Sequence, residues 1–284
     1  MTRSRSLLLT VCAMLAFAGN SLLCRLALRH TAIDAASFTS MRLVAGALTL
    51  WLLLQCRRGS RASGRGNWVS AAALCVYAAG FSWAYVQLSA ATGALLLFGA
   101  VQATMVGHGL WAGERLRPLQ SFGVVLTLAG LLALLLPGLA APPLASAVLM
   151  LGAGVAWGVY SLRDKGAGDP LAVSAGNFLR AVPLALALTV ASYAHLSLDT
   201  AGLLYAVASG ALASGIGYAI WYTALPTLSS TTAASVQLSV PVLAALGGIA
   251  FLGESASLRL VLASVAVLGG IGLVIWQKRQ VQAG

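Results

Sequence analysis

The sequence has few charged residues, and acidic residues are its scarcest charged class. Only 8% of its 284 residues are charged, against about 25% in an ordinary soluble domain. Hydrophobic residues make up 60% of the chain, and the mean hydropathy is +0.91. A soluble fold of this length has too little interior to bury so much apolar surface. The composition therefore excludes a soluble protein and predicts an integral membrane protein.

The few acidic residues all fall near predicted helix ends or in loops. They are Asp34, Glu114, Asp164, Asp169, Asp199 and Glu254. A proton relay or a site for a cationic substrate is expected to place a carboxylate at mid-membrane. The pattern therefore disfavours a proton-coupled multidrug pump and favours a neutral or zwitterionic substrate, while coupling through His108 stays open.

The sequence also lacks the residue clusters of a metal site or an enzyme. The four cysteines, all in or at the edge of apolar runs, have no metal-ligand spacing. The three histidines are far apart in sequence, and no paired Asp or Ser/His pair occurs at depth, as an intramembrane enzyme would need. We therefore expect no metal, no cofactor and no enzymatic activity.

The net charge of +11 comes from 17 Lys and Arg residues against 6 acids. In a soluble protein this balance would indicate nucleic-acid binding. Here the basic residues lie in short loops between apolar runs, where they set the orientation of the chain in the membrane. We expect the lipid bilayer and a small solute as partners, with no nucleic acid, in a monomer or homodimer.

Ten apolar segments are each long enough to cross a bilayer as a helix. Their predicted bounds are 6–29, 33–56, 67–87, 91–112, 118–137, 142–162, 170–194, 199–223, 228–252 and 256–277. With the N-terminus in the cytoplasm, twelve basic residues flank the inner ends and three the outer ends. This positive-inside bias predicts a multi-pass protein of the plasma membrane (the bacterial inner membrane) with both termini cytoplasmic.

The second half of the chain repeats the first. Val101-Gln102 and Gly113-Glu114 recur as Val236-Gln237 and Gly253-Glu254, at offsets of 135 to 140 residues. The predicted repeats are residues 1–137 and 138–284. Because each contains five helices, an odd number, they must have opposite orientations. The prediction is an all-α membrane protein with ten transmembrane helices, as two inverted five-helix repeats around a central cavity.

The repeated elements resemble a known family. The stretch 235–272, with Pro241, Gly253-Glu254 and three closely spaced glycines, resembles the EamA-type repeat of the drug/metabolite transporter superfamily. The first half resembles it more loosely, and the segment 17–21 with the aromatic third helix resembles YddG-type exporters of aromatic amino acids. The resemblance implies a secondary transporter that exports amino acids or related metabolites through a central cavity.

Aromatic side chains are the main candidates for binding substrate. Tyr77, Phe81 and Tyr85 recur at four-residue spacing on one helix face, and Trp157 and Tyr160 lie within the sixth helix. Aromatic walls with a few polar groups suit a flat, partly apolar solute. The alternative is that such residues anchor helices at the membrane interface. We assign that role to Trp68, Trp276 and the cluster Tyr218, Trp221 and Tyr222.

Polar residues predicted at similar depth complete the candidate site. Asn20, Gln102 and Gln237 are expected either to contact substrate or to join helices by hydrogen bonds. His108 is a candidate for proton coupling or an inner gate. Pro241, which has no counterpart in the first half, is expected to allow a kink or hinge in the ninth helix.

Two arginines, Arg42 and Arg180, lie well inside predicted helices. Each either holds a substrate carboxylate or binds backbone carbonyls within its own half, and Pro183 leaves the Leu179 carbonyl free for Arg180. Their equivalent positions in the two repeats favour the structural role. An asymmetric substrate needs only one carboxylate-binding residue.

The leading functional hypothesis is export of aromatic or neutral amino acids by alternating access. A nucleotide sugar, a sugar phosphate or a drug cation is an alternative substrate, and a solute channel is an alternative mechanism. Binding of a phosphate would require several Lys or Arg residues in the cavity, and binding of a drug cation would require a buried acidic residue.

Overall fold

The computed structural model describes residues 3–57, 65–113, 115–136, 141–164, 167–224, 228 and 236–283. The predicted repeat boundary between residues 137 and 138, and Glu114 of the first Gly-Glu pair, lie outside these residues. The described part of the chain is almost entirely helical and contains no strand.

Ten helices follow one another along the chain. They are α1 (Arg3–His30), α2 (Ala35–Cys56), α3 (Trp68–Tyr85), α4 (Ala90–Trp111), α5 (Pro118–Leu135), α6 (Leu144–Asp164), α7 (Pro170–Ala191), α8 (Thr200–Ala224), α9 (Ser239–Leu252) and α10 (Leu258–Ala283). Among the described residues, nine of them contain stretches long and apolar enough to cross a membrane, and α9 is a shorter apolar helix. The ten predicted segments are confirmed.

Local sequence signals fix several helix ends. Pro118 and Pro170 occupy the first turns of α5 and α7, where a proline costs no hydrogen bond. Asp34 caps α2 by accepting from the Ala36 and Ser37 backbone N–H groups, each at 2.9 Å. Although partial burial opposes it, hydrogen bonds from Ser37, Ser197 and Ala36 hold the pKa of Asp34 below its usual range. Asp169 and Asp199 cap α7 and α8 in the same way.

The contacts between the two repeats are symmetric. Exchanging each helix for its mate (α1 with α6, α2 with α7, and so on to α5 with α10) turns the α3–α6 contact into α8–α1 and the α4–α6 contact into α9–α1. The same exchange turns α2–α8 into α7–α3, and the pairs α2–α7, α4–α9 and α5–α10 into themselves. All of these contacts are present. The ten helices therefore form two inverted five-helix repeats.

The alternation of helices gives the protein two faces. We call the face where α1 begins and α10 ends the terminal face, and the other the opposite face. Two ties hold loops together across the repeats. On the terminal face Arg57 pairs with Asp169 at 2.7 Å. On the opposite face the Asp34 backbone N–H donates to the Ser197 carbonyl at 3.0 Å.

Two segments differ from the predicted regular helices. The middle of α8, Ser209–Ile216, is a π-helix, a wider coil that frequently occurs at functional sites. The ninth segment is interrupted, because Val236 and Gln237 are helical, Leu238 is a turn, and α9 begins at Ser239. Pro241 therefore occupies the first turn of a new helix, where its missing N–H would be free anyway. This break lies three residues before Pro241, and the expected role of Pro241 as a kink or hinge stays a prediction.

Glycines allow α5 and α10 to pack with their backbones in contact. A Cβ atom on Gly270 would lie 2.4 Å from the Gly123 carbonyl oxygen, and a Cβ on Gly123 would lie 2.5 Å from that of Gly270. The adjacent Gly269 is exposed and has no atom within 4 Å of such a Cβ. Within a membrane, where helices associate by close packing, small residues at the interface permit this approach.

We expect Gly270→Ala to lower the free energy of unfolding by about 1–3 kcal/mol, because the added methyl group forces two packed backbones apart. Gly269→Ala, one residue away and facing outward, should leave it unchanged or raise it by up to about 1 kcal/mol through helix propensity. Thermal unfolding of the purified protein in detergent measures both. Equal effects of the two substitutions would contradict the packing described here.

Candidate functional site

A cavity of about 480 Å³ lies between the two repeats. Residues of α1, α3, α4, α6 and α8 line it, and Gly168 and Pro170 extend it to the terminal face. Its described lining includes none of the residues at which helices meet on the opposite face. Among the described residues, the cavity therefore extends to the terminal face and not to the opposite face.

Eight aromatic rings line the described part of the cavity wall. Trp157 lies at their centre, with its ring 4.8 Å from that of Tyr77 and 5.5 Å from that of Tyr218. Phe81 lies 5.4 Å from Tyr77 on the same helix. The cavity-lining rings are Phe17, Tyr77, Phe81, Phe98, Trp157, Tyr218, Trp221 and Tyr222. Such a surface binds flat or apolar groups by stacking and by exclusion of water.

A chain of buried polar groups runs behind and along this wall. Ser209, at the start of the π-helix, donates to the Asn20 side chain at 2.7 Å. The Asn20 amide lies 3.5 Å from the Tyr77 hydroxyl, which also accepts from Arg42 at 3.0 Å. Asn20 and Tyr77 both line the cavity. The chain therefore connects Arg42 to the surface that a solute would touch.

The two deep arginines have different surroundings, although they occupy equivalent repeat positions. Arg42 is 2% exposed, and its only hydrogen-bond partner among the described residues is the Tyr77 hydroxyl, so the role of Arg42 as a ligand of carbonyls or of a substrate carboxylate stays a prediction. Arg180 lies at the terminal side and donates to the Arg65 and Gly176 carbonyls at 2.5 and 2.9 Å. Its predicted partner, the Leu179 carbonyl, is not among these bonds.

Among the described residues, one carboxylate reaches the cavity. Asp164 ends α6 and lines the cavity near the terminal face, where the Asn177 amide donates to both of its oxygens at 3.0 and 3.1 Å. The prediction that the acids lie at helix ends holds for Asp164, but this end is part of the site. The acid is therefore placed at the mouth of the cavity and not at its centre.

On the opposite face a cluster of charged and backbone groups joins α1, α3 and α4 to the loop between α9 and α10. Glu254, in the loop between α9 and α10, pairs with Arg25 of α1 at 3.2 Å. Its two oxygens also accept from the Ala90 N–H, at the start of α4, at 3.1 and 2.9 Å. Arg25 donates in turn to the Tyr85 and Val86 carbonyls at the end of α3. We call these five residues the opposite-face cluster.

Glu254 precedes α10 in the chain, but it caps α4, a helix of the other repeat. The cluster therefore ties the two repeats together where no cavity passes.

The predicted binding residues divide into three groups. Trp157, Tyr77, Phe81, Asn20, Gln102 and Gln237 line the cavity. Tyr85 and Tyr160 are fully buried behind it, Tyr85 donating to the Ala90 carbonyl and Tyr160 stacking on Trp157. His108 is exposed, 6.4 Å from the Trp111 ring, and Pro241 is buried in α9; neither lines the cavity. Whether any of them contacts substrate stays a prediction.

Sequence reasoning misassigned several lining residues. Tyr218 and Trp221 are 5% and 7% exposed and face the cavity, so their interpretation as interface anchors is wrong. Trp68 and Trp276, assigned the same role, are 59% and 54% exposed.

Comparison with known proteins identifies the family. The EamA-like transporter family matches the chain twice, over residues 4–136 and 144–276. The chain belongs to the EamA-like transporter family. As an EamA-like protein it is a multi-pass membrane transporter, a class that acts on small solutes and is distinct from enzymes. The two matches correspond to the two inverted repeats.

Individual relatives agree with this assignment. An uncharacterized protein of Pseudomonas aeruginosa is 63% identical over 271 residues, covering 95% of this chain and 94% of its own. The threonine/homoserine exporter RhtA of Salmonella typhimurium is 33% identical over 175 residues, which is 58% of each chain. A crystal structure with 19% sequence identity has the same fold, with a TM-score of 0.69 over 98% of this chain and 100% of its own. The finer resemblance to YddG-type exporters is not confirmed by these relatives.

The opposite-face cluster gives a prediction for stability. Arg25→Gln removes an ion pair whose side chains are only 12% and 14% exposed, so we expect the free energy of unfolding to fall by about 2–3 kcal/mol. Arg57→Gln removes the pair on the terminal face, where the arginine side chain is 49% exposed, and should cost at most about 1 kcal/mol. Thermal unfolding in detergent compares the two. A larger loss for Arg57→Gln would refute the importance given to the cluster.

Proposed function

We propose that this EamA-like transporter exports amino acids by alternating access through the cavity between its repeats. The observation that carries the proposal is the cavity wall, which combines aromatic rings with the amide side chains of Asn20, Gln102 and Gln237. Rings accommodate the apolar part of a solute, and amides offer both donors and acceptors to its polar part. The similarity to threonine/homoserine exporters supports the same substrate class.

The conformation is interpreted as open to the cytoplasm. The basic loop residues favour a cytoplasmic terminal face in a bacterial inner membrane, because cytoplasmic loops carry the excess of Lys and Arg. The cavity opens at that face, and the opposite-face cluster closes the periplasmic side. An amino acid would enter from the cytoplasm, and rocking of the repeats would then break the cluster and close the cytoplasmic mouth.

The surroundings of the cavity weigh against two of the alternatives. Nucleotide sugars and sugar phosphates need several cationic side chains, and no Lys or Arg is among the described residues that line it. A channel needs a continuous path, whereas the cluster blocks one end. A cationic solute is the second candidate, because Asp164 lies at the mouth and would attract a positive group.

Transport by the purified protein in liposomes tests the proposal. The panel contains threonine, homoserine, phenylalanine, tryptophan, a sugar phosphate and a quaternary ammonium dye, each with and without a pH gradient. We expect the amino acids to show saturable transport and exchange with unlabelled amino acid on the other side. Transport of the phosphate or the dye alone would refute amino acid export, and linear flux without exchange would favour a channel.

We expect Trp157→Ala to raise the KM for the transported amino acid about tenfold, because the ring at the centre of the wall contributes about 1–2 kcal/mol by stacking and burial. Val159→Ala is the matched control, since this side chain lies two residues away on α6 and is exposed on the outer surface. Membrane expression of both variants is measured alongside transport. An unchanged KM in Trp157→Ala would remove Trp157 from the binding site.

A further inference from the structure

Arg42 carries a positive charge at the centre of the described helices without a negative partner. The side chain is 2% exposed, and no carboxylate among the described residues lies within 4.0 Å of it. Of its three guanidinium nitrogens, only Nη2 has a described hydrogen-bond partner, the Tyr77 hydroxyl. Nε and Nη1 are buried with no hydrogen-bond partner in this part of the chain. Such a group retains most of the cost of leaving water.

Aromatic rings compensate for only part of this cost. The guanidinium carbon lies 5.3 Å from the centre of the Tyr77 ring and 5.0 Å from that of Phe81. Cation–π contacts at these distances are favourable but weaker than pairing with a carboxylate. Both rings line the cavity, so Arg42 lies directly behind the surface that a solute touches. The unused hydrogen-bonding capacity is therefore next to the transport path.

We propose that Arg42 anchors the carboxylate of the transported solute. The inference rests on the proposed function and specifies how that site recognises its substrate. Tyr77 and Asn20 share a hydrogen bond at the cavity wall, and Tyr77 holds Arg42 on its other side. A carboxylate that enters between Asn20 and Tyr77 accepts from the guanidinium and supplies the missing negative charge. Arginine suits this role because its planar donors match the two carboxylate oxygens.

The backbone around Arg42 holds the side chain in this position. A Cβ atom on Gly210 would lie only 2.1 Å from the Arg42 carbonyl oxygen. The backbone of α2 therefore packs directly on the π-helix of α8. Two serines of the same segment are part of the site. Ser209 donates a hydrogen bond to the Asn20 side chain, and Ser214 lines the cavity. The unusual coil of α8 thus orders both Arg42 and the polar groups in front of it.

The second repeat provides an internal comparison. Arg180, the repeat mate of Arg42, donates to two backbone carbonyls and does not line the cavity. Arg180 therefore stabilises the fold by binding backbone carbonyls. Arg42 has N–H groups beside the cavity with no acceptor among the described residues.

The test compares solutes that differ only in the carboxyl group. The probes are threonine with threonine amide, phenylalanine with phenylalanine amide, and the amine-free acid 3-phenylpropionate with its amide. Binding to the purified protein in detergent is measured by the rise in melting temperature and by tryptophan fluorescence, and transport is measured in liposomes. For at least one pair, we expect the wild-type protein to bind the acid about 10- to 100-fold more tightly than the amide.

Arg42→Gln should bring the acid-to-amide ratio of affinities close to one, and Arg42→Lys should give an intermediate ratio, since a charge remains without the planar donors. Arg180→Gln is the matched control and should keep the wild-type ratio even where it lowers stability. Because each ratio is taken within one variant, partial loss of folded protein does not change it. If Arg42→Gln does not fold, the acid-to-amide affinity ratios of Arg42→Lys and of the wild-type protein still test the proposal. An Arg42→Lys ratio equal to that of the wild type would contradict it.

Each outcome separates the two proposals. If amino acids are transported but no acid is preferred over its amide, or if Arg42→Gln keeps the preference, the carboxylate role of Arg42 is wrong and the proposed function stands. If only 3-phenylpropionate binds in an Arg42-dependent way, Arg42 is confirmed as the anchor and amino acid export is wrong. An equal loss of acid and amide binding in Arg42→Gln assigns Arg42 a purely structural role.

Discussion

The interior of a bilayer supplies no hydrogen-bond partners, so every polar group placed there has to find one within the protein. In this chain the scarce acids are used for that purpose. Asp34, Asp169 and Asp199 accept from free N–H groups at the starts of α2, α7 and α8. Glu254 does the same for α4 from the other repeat. These four acids therefore act at the membrane surfaces, and the described residues at the centre of the cavity include no carboxylate.

The same constraint decides how the repeats pack. Without a strong hydrophobic force between helices in lipid, close approach of backbones supplies much of the attraction. The contact between Gly123 and Gly270 shows this for α5 and α10, and that between Gly210 and the Arg42 carbonyl shows it for α2 and α8. Small residues at these crossing points therefore set how closely the helices of the two repeats approach one another.

The sequence predicted the parts of the structure that depend on long stretches of residues. Apolar length gave the ten helices, and the spacing of repeated elements gave their inversion, because both signals extend over many positions. It did not predict the π-helix in α8 or the break at Leu238, which depend on local packing. It also misassigned Trp221, since an apolar helix in lipid offers no polar face to tell cavity from bilayer.

The departures from symmetry carry the functional argument. In an inverted-repeat transporter, each half can adopt the conformation that the other half had before. The distances between helices in symmetry-related contacts, such as α1–α9 and α4–α6, are then exchanged. A solute, however, has distinct ends and needs an asymmetric site. Arg42 and Arg180 occupy equivalent positions in the two repeats. Among the described residues, Arg42 has guanidinium N–H groups without an acceptor beside the aromatic wall, whereas Arg180 donates to backbone carbonyls. The shared scaffold therefore provides the motion, and the residues that differ between the repeats provide the recognition.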